Sequence, residues 1–140
     1  MNKNVVYILT VLEAIEKIHV YVKDFTDANS LYSANNQLEF NASLALLMAI
    51  AEESKKVDEE LKELQPEINW KSVYGFRNEL AHNYRGIDKQ IVWNIIKTKL
   101  KPLQQACISI LKNVNPDKNK LKDYLNSDFY KHLKYLSDCL

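Results

Sequence analysis

Residues that favour turns are scarce in this chain of 140 residues. It contains only two glycines and three prolines, where average usage would supply about 17 such residues. This scarcity excludes an all-β sandwich or barrel, because the many turns of those folds depend on glycine and proline. The length predicts a single domain, residues 1–140, that is large enough to bury a hydrophobic core.

Long apolar runs and cysteines are also few. The longest run without a polar side chain covers eight residues, Leu44 to Ala51, whereas a membrane-spanning helix needs roughly 20. The N-terminus lacks the layout of a signal peptide. The two cysteines, Cys107 and Cys139, are spaced neither like a zinc site nor like a disulfide framework. These absences predict a soluble, cytoplasmic protein that does not interact with a membrane.

The net charge of +1 excludes the broad basic surface of a protein that binds duplex DNA. The charge is nevertheless uneven along the chain. Residues 49–68 carry seven acidic and three basic side chains, whereas residues 71–101 carry seven basic and two acidic ones. The second segment could attract an anion, although a solvated, lysine-rich helix face would explain the same pattern.

Apolar residues recur every three or four positions along the whole chain, which predicts an all-α fold, an antiparallel helical bundle without strands. Four main helices are expected, and Pro102 should kink or divide the fourth. Residues 116–140 repeat the apolar pattern and predict a C-terminal extension that forms one fifth helix. The expected main helices cover Asn2 to about Phe25, the residues between the polar stretch Asp27–Asn36 and about Leu64, Trp70 to about Ala81, and a segment capped by Asp88 that continues through Leu111.

The rarest residues of the chain crowd into the segment from Trp70 to Trp93. Both glycines, both arginines, both tryptophans and one of the three histidines lie there. A guanidinium group binds phosphate or carboxylate in a bidentate manner, whereas lysine suffices for solubility. Two arginines confined to this segment therefore suggest recognition of an anion, although chance clustering of only two residues explains the same observation.

Arg77 and His82 have the chemistry needed to cut RNA. An imidazole moves protons near neutral pH, and a guanidinium holds a phosphate whose charge grows in the transition state. These two groups suffice for attack by the 2′-hydroxyl of the RNA itself, without a metal. Five positions separate them, however, so one helix directs them to different sides. They converge only if the helix ends near Ala81 or if a second subunit contributes.

The run RNELAHNY, Arg77 to Tyr84, resembles the Arg-x4-His-x-Tyr motif of the HEPN superfamily, specifically its HepT-like toxins, which pair with MntA-like nucleotidyltransferase antitoxins. Upstream, Ile50-Ala51-Glu52 resembles an Ile-Gly-Glu element of that family, from which Ala51 departs. The resemblance covers about residues 1–112. Other positions similar to the family are Trp70, Gly75-Phe76, Ile87-Asp88 and Val92-Trp93.

The resemblance implies a homodimeric, metal-independent endoribonuclease that acts as the toxin of a toxin–antitoxin system, with RNA as substrate and a nucleotidyltransferase as antitoxin. Arg77 and His82 match the catalytic pair, and Asn78 fills the polar position after the arginine. Tyr84 matches the tyrosine to which the antitoxin attaches AMP, which silences the nuclease. Glu52 is at most a supporting residue, because its neighbour departs from the family pattern.

Other functions are compatible with the same residues. A non-catalytic HEPN module would bind a nucleotide or a nucleotidyltransferase through the same basic pocket and cleave nothing. A purely structural dimerisation bundle would need no pocket, and Arg77 and His82 would then form structural pairs with acidic residues. Motifs of zinc hydrolases, NTPases and serine hydrolases do not occur in the sequence, so neither a metal nor another cofactor is expected.

Overall fold

The computed structural model describes residues 2–140, and no strand occurs among them. This confirms the predicted all-α helical bundle. None of the helices in the described part of the chain is long and apolar enough to span a membrane. The helices are α1 (Lys3–Val22), α2 (Ala28–Ser33), α3 (Leu38–Lys56), α4 (Glu59–Glu63), α5 (Trp70–His82), α6 (Lys89–Thr98), α7 (Leu100–Val114), α8 (Lys118–Leu125) and α9 (Leu136–Cys139).

Helix α1 forms the centre of the hydrophobic core. It packs against α3 and α7, and α3 packs in turn against α5, the helix that carries the motif residues. Helix α6 packs against α2 and α7. Residues spaced three or four apart form one stripe along α1, and all of them are buried except the half-buried His19. The buried members are Val5, Ile8, Leu12, Ile15 and Val22.

The prediction of one continuous second helix is wrong, because the helix is interrupted between Lys56 and Glu59. Val57 at the break is buried and has an extended backbone. Asp58 is held there by Asn4 of α1, whose amide oxygen accepts from the Asp58 backbone N–H at 2.9 Å and whose amide nitrogen donates to Asp58 Oδ2 at 3.0 Å. A contact across 54 residues therefore ends α3.

The polar stretch before α3 contains a helix that the sequence pattern did not predict. Asp27 and Ser30 form a capping box for α2, in which Asp27 Oδ1 accepts from the Ser30 backbone N–H at 2.7 Å, and this reciprocal bonding stabilises a helix start. Three successive polar residues, Asn35, Asn36 and Gln37, then have positive φ angles. This left-handed turn interrupts the helix, so that α3 begins at Leu38.

The prediction that Pro102 divides the fourth helix is confirmed. Helix α6 ends at Thr98, and α7 begins at Leu100. The proline ring clashes with the carbonyl group four residues earlier, that of Thr98, and this clash prevents one continuous helix. The predicted N-cap is also confirmed, because Asp88 Oδ1 accepts from the backbone N–H of Gln90 at 2.8 Å.

The prediction of one fifth helix in residues 116–140 is wrong. This segment forms α8, a 3₁₀ turn at Lys131–Leu133, and α9. One continuous helix with the apolar spacing of this segment would bury Phe129, but Phe129 is exposed and its neighbour Tyr130 is buried instead. The Tyr130 hydroxyl lies 2.9 Å from the hydroxyl of Thr10 on α1. Packing against α1, and not the apolar spacing of the segment, therefore determines which of its side chains are buried. Buried leucines of this segment belong to the same hydrophobic cluster as α1.

Candidate active site

Helix α5 is mostly exposed, and a few contacts at its start and along one side hold it in place. Of its 13 residues only Leu80 is buried. The indole N–H of Trp70 donates to the carbonyl oxygen of Lys62 at 3.2 Å, and Val73 and Phe76 are half-buried against the core. The remaining surface of the helix, which carries the motif residues, is therefore open.

Arg77 is oriented by Glu52 of α3. Its Nε donates to Glu52 Oε1 at 3.0 Å. Because this bond uses Nε, the two terminal amino groups of the guanidinium retain their donors for another anion. The side chains are 50% and 44% exposed, and exposed pairs of this kind contribute only about 0–1 kcal/mol to stability. The pair therefore orients the guanidinium more than it stabilises the fold.

His82 is the last residue of α5, one residue beyond the predicted end of the helix. The backbone N–H of Asn83 donates to the carbonyl oxygen of Glu79 at 3.0 Å and closes the helix. Arg77 and His82 consequently lie on one continuous helix, about 140° apart around its axis. Within one chain they do not face a common ligand. The imidazole is exposed, and the histidine ion pair found within residues 2–140 involves His132 instead.

Tyr84 lies in the 3₁₀ turn that follows α5. Its side chain is 59% exposed, and its hydroxyl donates to Oδ1 of Asn41 at 3.1 Å. Sequence reasoning missed Asn41, which is 43 residues away and carries no local signal. The contacts Asn41–Tyr84 and Glu52–Arg77 together show that α3 and α5 run antiparallel.

An open cleft of about 610 Å³ lies between α3 and α5. Among the residues lining this basic cleft, four are cationic and only Glu52 is acidic. Burial raises the pKa of the Tyr74 phenol in its wall, and the ammonium of Lys62, 4.6 Å from the ring centroid, offsets part of that rise. The lining residues are Ala51, Glu52, Lys55, Lys56, Lys71, Tyr74, Gly75, Arg77 and Asn78.

Lys62 connects α3, α4 and α5 behind the basic cleft. Although it is a lysine, its side chain is only 1% exposed. Its Nζ donates to the carbonyl oxygens of Ser54 and Lys55 at 3.3 and 3.4 Å and pairs with Glu59 at 3.0 Å. The buried ammonium thus binds the C-terminal carbonyls of α3 and supports the position of the neighbouring Tyr74 ring.

The structure brings three of the five residues singled out in the sequence to one place. Glu52, Arg77 and Asn78 line the basic cleft, whereas His82 and Tyr84 lie beyond it at the C-terminal end of α5. Within residues 2–140 no cluster of three or more histidine, cysteine, aspartate or glutamate side chains could hold a metal ion. The assigned roles of the five residues stay predictions.

Comparison with known proteins decides the family. The model of a family described as "Ribonuclease HepT-like" matches residues 11–110. The chain belongs to the HepT-like family. This membership confirms the resemblance of the motif segment to HepT-like HEPN proteins, and with it the predicted enzyme class, an endoribonuclease of the HepT type.

Individual relatives agree with this assignment. A Thermococcus cleftensis protein named as a probable ribonuclease HepT is 30% identical over 98 residues, which cover 70% of this chain and 86% of that protein. A Methanocaldococcus jannaschii protein named as a candidate RNase is 29% identical over 99 residues, or 71% of this chain and 88% of its own length.

A second protein of that organism, whose name combines a gamma-glutamylcyclotransferase with a candidate RNase, is 29% identical over 120 residues. The match covers 85% of this chain but only 53% of that longer protein. No solved structure matches the chain at a significant level.

Proposed function

We propose that this HepT-like ribonuclease is the toxin of a toxin–antitoxin pair and cleaves RNA without a metal ion, with Arg77 and His82 as its catalytic residues. The 2′-hydroxyl of the RNA attacks the adjacent phosphorus, and the bond from phosphorus to the 5′-oxygen breaks. The products are a 2′,3′-cyclic phosphate and a 5′-hydroxyl. His82 transfers protons, and Arg77 stabilises the charge that develops on the phosphate oxygens.

The orientation of Arg77 carries this proposal. Glu52 engages the guanidinium through Nε alone, which leaves the two terminal amino groups free to form paired bonds with a phosphate. Asn78 lies beside it in the lining of the basic cleft and supplies a further amide donor.

In a homodimer, Arg77 and His82 from different protomers could reach the same phosphate. One helix separates the two side chains by about 140°, so a single chain presents only one of them to a given phosphate. Two copies of α5 related by a two-fold axis would place Arg77 of one protomer near His82 of the other. The exposed surface of α5, where Leu80 alone is buried, supports this arrangement because it leaves room for a second helix.

Modification of Tyr84 would control the enzyme. In this proposal an MntA-like nucleotidyltransferase acts as the antitoxin, and the Tyr84 hydroxyl attacks the α-phosphorus of ATP and releases pyrophosphate. The exposure of Tyr84 supports access by a second enzyme. An adenylate attached two residues from His82 would place a phosphate and a base next to the cleavage site, and RNA would be excluded.

Cleavage in the presence of EDTA tests the chemistry. The purified protein should cut RNA and leave 2′,3′-cyclic ends, and His82→Ala and Arg77→Ala should each lower the rate about a hundredfold or more. Arg85→Ala, which removes the other arginine of the chain, is the matched control and should keep most of the activity. Cleavage that requires a metal would contradict the mechanism, and cleavage that is absent altogether would favour the non-catalytic binding module.

Complementation tests the dimer. Arg77→Ala and His82→Ala proteins, each inactive alone, should regain part of the activity when mixed under conditions that allow subunit exchange. A fully active monomer at micromolar concentration, measured by light scattering, would remove the second subunit from the mechanism.

Mass spectrometry tests the regulation. Incubation with ATP and a nucleotidyltransferase encoded beside this protein should add the mass of AMP to the wild-type chain but not to Tyr84→Phe. Tyr32→Phe, which alters a half-buried tyrosine on α2, is the control and should still be modified. Adenylation at another residue with Tyr84 intact would refute the assignment.

A further inference from the structure

The basic cleft is positively charged although part of its lining comes from an acidic stretch of the sequence. Residues 49–68 carry a net negative charge, yet the acidic residue that lines the basic cleft, Glu52, and three others of this stretch have partners of their own. Four such contacts occur in this stretch: Glu52 with Arg77 at 3.0 Å, Glu53 with Lys56 at 2.9 Å, Glu59 with Lys62 at 3.0 Å, and Asp58 with Asn4 at 3.0 Å.

Two cations of the basic cleft are left without such a partner. Lys55 on α3 and Lys71 on α5 both line the cleft, and both are exposed. The ion pairs found within residues 2–140 include neither of them. The two ammonium groups therefore add positive charge that no carboxylate of the described residues neutralises, whereas Arg77 in the same cleft is already paired with a carboxylate.

The position of these lysines relates them to the cleavage site. Lys71 precedes Arg77 by six residues, which corresponds to about 9 Å along the helix axis. His82 lies on the other side of Arg77, at the C-terminal end of α5. Within one protomer, the basic cleft thus extends from Arg77 towards the N-terminus of α5, away from His82.

We propose that the basic cleft is a subsite for the RNA backbone, in which Lys55 and Lys71 bind phosphates on one flank of the scissile phosphate. The inference rests on the proposed cleavage of RNA at Arg77 and His82 and extends it to the neighbouring nucleotides. Ammonium groups bind phosphates as point charges, and contacts to phosphate carry no sequence information. The subsite therefore contributes affinity and strand orientation without base preference.

Binding of an uncleaved RNA tests the subsite directly. In a His82→Ala background, Lys55→Gln with Lys71→Gln should weaken binding of a fluorescent single-stranded RNA by about tenfold or more in low salt. The slope of log affinity against log salt should fall by about 1.4, the value for two phosphate contacts to a single strand. Lys118→Gln with Lys120→Gln, two exposed lysines on α8, is the control of equal charge and should leave the slope unchanged.

Cleavage of trimmed substrates tests the direction. Without the His82→Ala change, the Lys55→Gln, Lys71→Gln variant should have a lower kcat/KM than wild type on long RNA. This difference should become smaller when the RNA is shortened on one side of the cleavage site, and it should stay the same when the RNA is shortened on the other side. A deficit that is independent of both flanks, or an affinity and salt slope equal to those of the α8 control, would overturn the subsite.

The two proposals fail in distinguishable ways. If wild-type protein cuts RNA and the double variant binds RNA normally, the cleavage mechanism stands and the subsite is wrong. If wild-type protein does not cut RNA, the proposed function is wrong, and the binding measurement alone decides on the subsite.

Discussion

Helices α1 and α5 use their side chains in opposite ways. Eleven of the 20 residues of α1 are buried, whereas one of the 13 residues of α5 is. Helix α1 is in the centre of the core, and burial of its apolar stripe supplies stability. Helix α5 lies at the surface and carries Arg77, Asn78 and His82. The comparison teaches that the most buried helix and the helix that carries the residues proposed for catalysis are different ones, so stability and activity should be alterable separately.

A truncation in α1 should have the largest effect on stability. Leu12 is fully buried, and Leu12→Ala removes buried methyl groups and leaves a cavity. The free energy of unfolding should fall by about 2–5 kcal/mol in denaturant titrations. Val20→Ala, at an exposed position of the same helix, should change it by less than about 0.5 kcal/mol.

The converse change in α5 completes this test. His82→Ala should leave the free energy of unfolding within about 0.5 kcal/mol of wild type, while RNA cleavage is lost. A comparable loss of stability in both helices would show that α5 is part of the core, and the division between the two helices would then be wrong.

Lys62 connects α5 to the helices behind it, α3 and α4, and its removal should have an intermediate effect. Lys62→Met keeps most of the buried chain length but leaves the carbonyl oxygens of Ser54 and Lys55 without their ammonium donor. We expect the free energy of unfolding to fall by about 1–3 kcal/mol, the range for lost hydrogen bonds to a charged group, since the Ser54 carbonyl oxygen keeps the Val57 backbone N–H as a donor at 3.3 Å. Lys118→Met on exposed α8 should be neutral, and equal stability of the two variants would contradict the connecting role of Lys62.

The sequence predicts what depends on periodicity and on local caps. The stripe of α1, the N-cap of Asp88 and the division at Pro102 depend on residues within a few positions of one another, and each is confirmed. The family motif likewise lies within one short segment. Local spacing therefore suffices to find α5, and the resemblance of this segment to the family motif suffices to single out Arg77 and His82.

Features that depend on distant contacts could not be predicted in this way. The break after α3 depends on Asn4, 54 residues from its partner Asp58, and the register of the C-terminal segment depends on the contact of Tyr130 with Thr10. The burial of Lys62 and the contact of Asn41 with Tyr84 likewise require knowledge of how α3, α4 and α5 pack. Periodicity describes one helix at a time, so it leaves these contacts undetermined.

Gly75 offers a smaller test, in the direction of higher stability. A Cβ at this position would meet no atom of the chain within 4 Å, and alanine is more favourable than glycine inside a helix by about 0.8–1.0 kcal/mol. Gly75→Ala should therefore raise the free energy of unfolding by about that amount. Gly75 lines the basic cleft, where the absence of a side chain permits close approach of another molecule, so RNA cleavage by the more stable variant should decrease.

Ala42→Gly is the matched control for this change, because it makes the opposite exchange on α3 outside the basic cleft. It should lower stability and leave cleavage per folded molecule unchanged. If Gly75→Ala is both more stable and fully active, the glycine has no role in binding, and the open space above α5 is not used.

The contact between Tyr84 and Asn41 should have the smallest effect, because both residues are at the surface. A hydrogen bond contributes about 0.5–1.5 kcal/mol in general, and water competes for this one. A double-mutant cycle with Asn41→Ala and Tyr84→Phe should give a coupling energy of about 0.5 kcal/mol or less. Amide hydrogen exchange in the turn Tyr84–Gly86 should nevertheless become faster, because the bond ties this turn to α3.

The same contact bears on the proposed modification. The Tyr84 hydroxyl proton is donated to Asn41, and this bond must break before the oxygen attacks a nucleotide. Asn41→Ala should therefore speed up adenylation of Tyr84, whereas Asn94→Ala, at an exposed asparagine of α6, should not. Slower adenylation of the Asn41→Ala protein would show instead that Asn41 holds the hydroxyl in the reactive position, and the contact would then assist the modification that it is expected to delay.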